Sequence, residues 1–242
     1  MDKRLFLSTR GSEVWMSKAK SICDRVYAVG GPGLSAPEDA YVYVVDAGSE
    51  LVMIDAGVGY GMKRIEENIR SMGWQPAQVW HIIATHCHID HIGGLYAWKE
   101  QYGPQIIAHE LDRAGIEGEN DLLTAASMYG VSYKPVKVDM LLRGEEESML
   151  LGDLEIHFLH TPGHTPGSIS VYIDTKDGRV LFGQDIHGPF SDSWGSDLGQ
   201  WRHSMKKLLD LKADVLCEGH AGVYRGEKVG EYIRGYLKRY EA

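Results

Sequence analysis

The 242-residue chain has few cysteines, three of them far apart at Cys23, Cys87 and Cys217. So sparse a set excludes a disulfide framework and suits reduced thiols in a cytoplasm, which is the expected location. No stretch approaches the ~20 consecutive apolar residues of a membrane span, and Met1 to Arg10 lacks the long apolar run of a secretory signal. Positive charge is also scarce: 25 Lys and Arg stand against 34 Asp and Glu, a formal charge of −9. That balance excludes the basic stripe of a nucleic-acid-binding surface; Lys206-Lys207 and Arg234 to Arg239 are short and read as solvated helix faces. Low-complexity tracts and short-period repeats are missing as well. What is present is an ordinary globular composition, 43% hydrophobic and 24% charged, read as one domain over 1–242 with ample material for a core.

Strand-like and helical runs alternate, with glycine and proline at the joints. Tyr41 to Val45 and Leu51 to Ile54 flank Asp46-Ala47-Gly48-Ser49-Glu50 and read as a hairpin. Met62, Ile65, Ile69 and Met72 recur at helical spacing up to Gly73; a strand is expected over Val79 to Ala84, then a helix over Gly93 to Tyr102. In the second half Leu154 to Leu159, Ile169 to Ile173, Arg179 to Phe182 and Asp214 to Cys217 read as strands. Leu198, Trp201, Met205 and Leu208 form a helical stripe behind a cap at Ser196 or Asp197, and Val229 to Tyr240 marks a closing amphipathic helix. Tyr232, Tyr236 and Tyr240 on that helix read as core or as a homodimer surface. Residues 115–147 are the least regular, mixing a helix over Asp121 to Tyr129 with Tyr133, Pro135 and Glu145-Glu146-Glu147. They are long for a connection and read as a lid insertion over a site.

The densest chemistry lies in Thr85-His86-Cys87-His88-Ile89-Asp90-His91, directly after the apolar run Val79 to Ala84. Imidazole and carboxylate are the side-chain ligands that a borderline divalent metal prefers. At this chain's own His and Asp frequencies, H-x-H-x-D-H arises by chance in about one chain of this length in a thousand. Three further strand ends combine a ligand-type side chain with glycine: Thr161-Pro162-Gly163-His164-Thr165-Pro166-Gly167-Ser168, Phe182-Gly183-Gln184-Asp185, and Glu218-Gly219-His220-Ala221-Gly222. Each alone is weak, since such residues usually serve turns and caps. Together they supply five histidines and two aspartates, enough for two metals sharing one carboxylate. Cys87 sits between two of these histidines, where side chains alternate along an extended segment, and is expected to point away. His157, His160 and His203 read as structural, whereas His109 and His187 each follow a strand end. His187, two residues beyond Asp185, is expected to contact a ligand residue or the substrate.

The set Thr85 to Gly94, His164, Asp185 and His220, with Ile54-Asp55-Ala56-Gly57 upstream, resembles the metallo-β-lactamase-fold hydrolase superfamily, in the expected order and over the whole chain. The resemblance implies an α+β fold, a four-layer αβ/βα sandwich with the site at one edge. It implies a first metal on His86, His88 and His164, and a second on Asp90, His91 and His220. Asp185 would bridge the two, and Asp55 would hydrogen-bond to ligands from behind. The implied cofactors are two divalent ions, zinc first, with iron or manganese as alternatives. Asp90 and Asp185 are the expected catalytic carboxylates.

A water held by such ions has its pKa lowered from ~15.7 to about 7, so hydroxide is available without a protein base or a serine nucleophile. The expected reaction is hydrolysis of an ester, thioester or lactone of a small molecule by a metal-bridging hydroxide. Asp185 counts against antibiotic hydrolysis, because true β-lactamases usually lack an aspartate there. His160 to Ser168 resembles glyoxalase II-type thioesterases, but only 22 residues follow His220, too few for the helical glutathione-binding domain of that branch. Quorum-type lactonases carry a tyrosine three residues after the bridging aspartate, where this chain has Gly188. Two alternatives stay open. One is a persulfide dioxygenase-like oxidoreductase with a single iron on His86, His164 and Asp185; the other is a non-catalytic metal-binding protein. Substrate selection is expected from Tyr129, Tyr133, Phe190 and Trp194, the aromatics of the candidate lid and of the loop after Asp185.

Overall fold

Short apolar runs separated by turns pair into two sheets, which the computed structural model describes within residues 18–241. Met1 to Arg10, read above for a secretory signal, lies outside the described residues. The first sheet sets β1 (Lys20–Cys23), β2 (Val26–Gly30), β3 (Val42–Asp46), β4 (Leu51–Ile54), β5 (Val79–Ile83), β6 (Gln105–His109) and β7 (Met140–Leu142) side by side in chain order. Neighbours from β1 to β4 are antiparallel. Those from β4 to β7 are parallel, because crossovers run through α1 (Met62–Ser71), then α2 (Ile89–Ile92) and α3 (Leu95–Tyr102), then α4 (Arg113–Ile116) and α5 (Ala126–Tyr129).

The second sheet is built from β8 (Glu146–Leu151), β9 (Leu154–His160), β10 (Ile169–Thr175), β11 (Gly178–Gln184), β12 (Val215–Glu218) and β13 (Gly222–Arg225), in spatial order β13-β12-β11-β10-β9-β8. Only β11 and β12 pair in parallel, and α6 (Leu198–Asp210) spans them; α7 (Glu227–Arg239) follows β13. The Asp197 side chain caps α6 by accepting from Gln200 N at 2.9 Å.

Alternation along the strands divides the core. Tyr43, Val45, Val52 and Ile54 face the second sheet and pack with Phe158, Val171 and Phe182. Val42, Val44, Leu51 and Met53 face the other way, toward Ile65, Ile69, Leu95 and Trp98 of the helices. On the far side of the second sheet, Leu181 and Leu216 meet Trp201, Met205 and Ile233 of α6 and α7. The result is helix, sheet, sheet, helix: the αβ/βα sandwich. Burying each such side chain stabilises the fold by about 1.5–3 kcal/mol before chain entropy is counted.

The β3–β4 hairpin, α1, α6 and α7 stand where periodicity predicts them. Other segments differ. Asp121 to Tyr129 is not one helix: a 3₁₀ turn over Asp121–Thr124 meets α5 at Ala125, whose φ of 53° is left-handed and breaks the ladder. The end of 115–147 belongs to the sheets, since β7 pairs with β6 and β8 begins at Glu146. β8 is an edge strand with exposed residues at alternate positions, so its glutamates mimic a loop in the sequence. β1, β2, β6 and β13 also fall outside the runs that the pattern predicts.

Candidate metal centre

The ligand-type residues all follow strand ends that open on the same edge of the sandwich: β5 for His86 to His91, β9 for His164, β11 for Asp185 and β12 for His220. After β5 the chain bends through Thr85, His86 and Cys87; His88 is extended (φ −72°, ψ 146°), and α2 then turns Asp90 and His91 inward. Gly93 and Gly94 make this close turn possible. A Cβ at Gly93 would lie 2.2 Å from the Val58 carbonyl oxygen, and one at Gly94 2.3 Å from that of Ala56. One candidate ligand atom from each of His86, His88, His164 and Asp185 falls within 4.8 Å of the others, and the same holds for Asp90, His91 and His220. Asp185 reaches both groups. Its Oδ2 is 3.4 Å from His164 Nε2 and 3.3 Å from His220 Nε2, and its Oδ1 is 3.1 Å from His91 Nε2.

These side chains fit a cation better than they fit one another. Nε2 of His86 and His88 and Nδ1 of His164 are buried with no hydrogen-bond partner among the described residues, while His91 Nε2 and Asp185 Oδ1 face only each other. An unsatisfied buried polar atom costs about 1–3 kcal/mol, so three in one place call for a partner, and converging imidazoles around a carboxylate suit a divalent metal. Burial pushes the pKa values of His86 and His88 well below the ordinary range, with neighbouring histidines adding to it, and brings that of His164 to about 4. These rings are therefore neutral donors. His91 and His220 go the other way: against burial, the Asp185 charge raises both, His220 to about 10. Burial alone would raise Asp185, but His91 and His220 hold its carboxyl well below the usual range. A metal entering the second group must therefore displace protons.

Residues 36–220 match the sequence model of the Metallo-beta-lactamase superfamily. The chain belongs to this superfamily. It is 30% identical over 150 residues to the probable metallo-hydrolase YqgX of Bacillus subtilis, covering 60% of this chain and 68% of that one. It is 25% identical over 185 residues to a hydroxyacylglutathione hydrolase of Rhizobium johnstonii, covering 72% and 55%. Among solved structures it resembles BJP-1, a subclass B3 metallo-β-lactamase of Bradyrhizobium japonicum, with a TM-score of 0.78, 24% identity and 95% of each chain covered. The last likeness concerns the fold alone. Membership in the metallo-β-lactamase superfamily, with this His/Asp cluster, makes the chain a divalent-metal protein of a metallo-hydrolase family.

Buried carboxylates stand behind the cluster of this metallo-β-lactamase-fold chain. Asp55 accepts from Thr85 N at 2.8 Å and Thr85 Oγ1 at 2.9 Å, and pairs with His91 Nδ1 at 2.7 Å, which turns His91 Nε2 toward Asp185. Glu218, wholly buried, accepts from His220 N at 2.7 Å and Ala221 N at 2.6 Å, and binds His187 Nδ1 at 3.0 Å. Cys87 points away: its Sγ donates to Leu123 O at 3.3 Å, and it joins neither ligand group. Burial raises the thiol pKa of Cys87 and Cys217 well above the ordinary range and that of Cys23 to about 11. A colourimetric thiol reagent at pH 8 is therefore expected to modify less than one thiol per native chain within minutes, and all three in denaturant. Rapid modification of the native protein would contradict the burial.

Next to the cluster lies a cavity of about 180 Å³, lined by His88, Asp90, Asp185, His187 and His220 on one side and Ala125, Met128, Tyr129, Pro189 and Trp194 on the other. Of the four aromatics expected there, Tyr129 and Trp194 line it. Tyr133 and Phe190 do not. Tyr133 donates its hydroxyl to Ile116 O at 2.8 Å and packs with Val58, Ile89 and Ala126. Phe190 lies edge-on to Trp201 and Tyr240, with ring centroids at 5.3 and 5.0 Å. Both rings find apolar cover behind the wall, so they support it without facing the cavity. His109 also falls outside: it stacks on His160 at 4.0 Å and accepts from Leu111 N. Ala125, Met128 and Pro189 carry no chemical signal in sequence, and only the fold brings them here.

Proposed function

We propose that this chain is a two-metal hydrolase that cleaves ester-type bonds (ester, thioester or lactone) in small uncharged substrates. The observation that carries the reading is the reach of Asp185 into two complete ligand groups at the wall of one cavity. His86, His88 and His164 would hold one ion, Asp90, His91 and His220 the other, and Asp185 both. When bound, such ions, zinc first, polarise a substrate carbonyl and make a bound water acidic near neutral pH. The remaining roles belong to the side chains. Asp90 sits 3.1 Å from His220 Nε2 and opens on the cavity, where a carboxylate can orient a water or take up a proton. The Tyr129 phenol lies against it. Burial and the Asp90 and Asp185 charges hold its ionisation above the usual range, so it remains a hydrogen-bond donor to the substrate. Glu218 fixes His187 through Nδ1 and leaves Nε2 for the cavity. Trp194, Met128, Pro189 and Ala125 would cover the apolar part of the substrate, with the segment around Tyr129 acting as the lid.

The choice of an uncharged substrate follows from the lining. No lysine or arginine lines the cavity among the described residues, and the chain carries a formal charge of −9. An anionic group held away from the metals would find no counter-charge. The likeness to a hydroxyacylglutathione hydrolase supports thioesters as a bond class, whereas the lining disfavours an acyl carrier with several carboxylates.

The test is a zinc-loaded preparation assayed on matched neutral and carboxylated phenyl esters, thioesters and lactones. The expected result is turnover of the neutral series with at least about a tenfold advantage in kcat/KM, or about 1.4 kcal/mol. Equal rates on both series would overturn the uncharged class. Inertness across all three bond types with two metals bound would overturn the hydrolase reading. The mononuclear alternative predicts one iron per chain and persulfide-dependent oxygen uptake. Against it stands the second group, as fully assembled as the first.

A further inference from the structure

Among the buried carboxylates without a part in the site as described, one lies against its ligand loops. Asp112, 1% exposed, ends a 3₁₀ turn over Glu110–Asp112 that follows β6. Its Oδ2 accepts from Cys87 N at 2.9 Å and from Thr165 Oγ1 at 2.6 Å, and its Oδ1 accepts from Gly167 N at 2.6 Å. Cys87 N belongs to the residue between His86 and His88. Thr165 and Gly167 belong to the turn that carries His164. A single side chain thus ties the first-sheet loop to the second-sheet turn, and all three histidines of the first group hang from the two tied segments. The fit is close: a Cβ on Gly167 would lie 2.5 Å from Asp112 N and 2.6 Å from Oδ1. The second group is braced by other carboxylates, Asp55 behind His91 and Glu218 behind His220.

We propose that Asp112 is a positioning residue for the first metal: by bonding Cys87, Thr165 and Gly167 it sets the separation of the His86–His88 loop from the His164 turn. An ionised carboxylate suits this place, because each oxygen faces a backbone N–H that can only donate and the Thr165 hydroxyl donates to one of them. An asparagine in either orientation would set an NH₂ group against a backbone N–H, that of Cys87 or that of Gly167. The mispaired loops would spread, and the first group would lose affinity while Asp55 and Glu218 kept the second in shape. The inference rests on the two-ion reading of the site.

The experiment is competitive zinc titration of chelator-stripped protein against a chromophoric chelator, for the wild type and for Asp112→Asn, Thr165→Val and Thr165→Ser. Wild type is expected to take two ions. In Asp112→Asn one of them should bind about 10–100-fold more weakly, the usual cost of losing a partner behind a ligand, with the other within a few-fold of wild type. Thr165→Val, of nearly the same shape but without the hydroxyl, should weaken the same ion by a smaller factor, and Thr165→Ser should restore it. Equal weakening of both ions in Asp112→Asn, or no weakening, would overturn the proposal. So would identical behaviour of the valine and serine variants, and that pair decides the matter alone if Asp112→Asn does not fold. A wild-type protein that takes up only one ion would instead overturn the two-ion reading, and this is seen before any variant is measured.

Discussion

Replacing Asp185 with asparagine is expected to lower kcat on any ester that the protein turns over by about 10³-fold, comparable to the loss of one preorganised electrostatic group from an active site. The carboxylate stands among three imidazoles, with oxygens at 3.1 to 3.4 Å from His91, His164 and His220. Asparagine keeps the shape and removes the charge. Its nitrogen cannot ligate, so one of the two groups loses a ligand and the link between them is cut. Metal content should fall by at least one ion per chain, while far-UV circular dichroism stays that of the wild type. The variant separates two roles. Near wild-type turnover with full metal content would show that Asp185 does not bridge. Lost turnover with both metals retained would make it catalytic without being an essential ligand.

Stripping the metals is expected to lower Tm by roughly 8–16 °C. Ions present at about a thousandfold excess over Kd stabilise the native state by about 4 kcal/mol, and in a chain of this size each kcal/mol moves Tm by about 2–4 °C. The size of the effect should depend on pH in a definite direction. In the metal-free protein His220 has a pKa of about 10 and that of His91 is also raised, both because of the aspartates that face them. A folded-state pKa above the unfolded value of about 6.5 stabilises fully below that value, and this contribution is lost as pH climbs toward 10. Metal uptake at the same rings competes with their protons, so affinity rises over the same range. His86 and His164, already neutral, add nothing to the trend. The gap in Tm between loaded and stripped protein should therefore widen from pH 6 to pH 9. Scanning calorimetry at three pH values checks it, and a constant or narrowing gap would contradict the ion-paired state of the second group.

Much of this site was legible because its ligands lie in glycine-punctuated turns directly after apolar strands, where residue type and position reinforce each other. His86, His88, Asp90 and His91 form a local pattern, and His164, Asp185 and His220 share the same strand-end context. Asp55 stood out only through its turn. Asp112 left no mark, since its partners lie 25, 53 and 55 residues away and a lone aspartate after a strand has many ordinary uses. The same limit applies to the cavity. Tyr129 and Trp194 could be guessed from their place in the chain, but nothing local distinguishes them from Tyr133 and Phe190, whose rings turn to apolar neighbours that only the folded chain supplies. Among the strands, those flanked by clear turn residues were readable. β8 was hidden because an edge strand shows charge to solvent at alternate positions.

Neither ligand group is drawn from one sheet. His86 and His88 come from the first and His164 and Asp185 from the second; Asp90 and His91 come from the first and His220 from the second. Each half of the sandwich alone therefore carries only fragments of a chelate. Until the halves have docked there is no tight place for a cation, so retention of metal reports correct assembly. A chain emerging from the ribosome would compete poorly for metal until its last ligand had been made and the seam had closed. Tight metal uptake is thus expected only of a chain whose two sheets have docked.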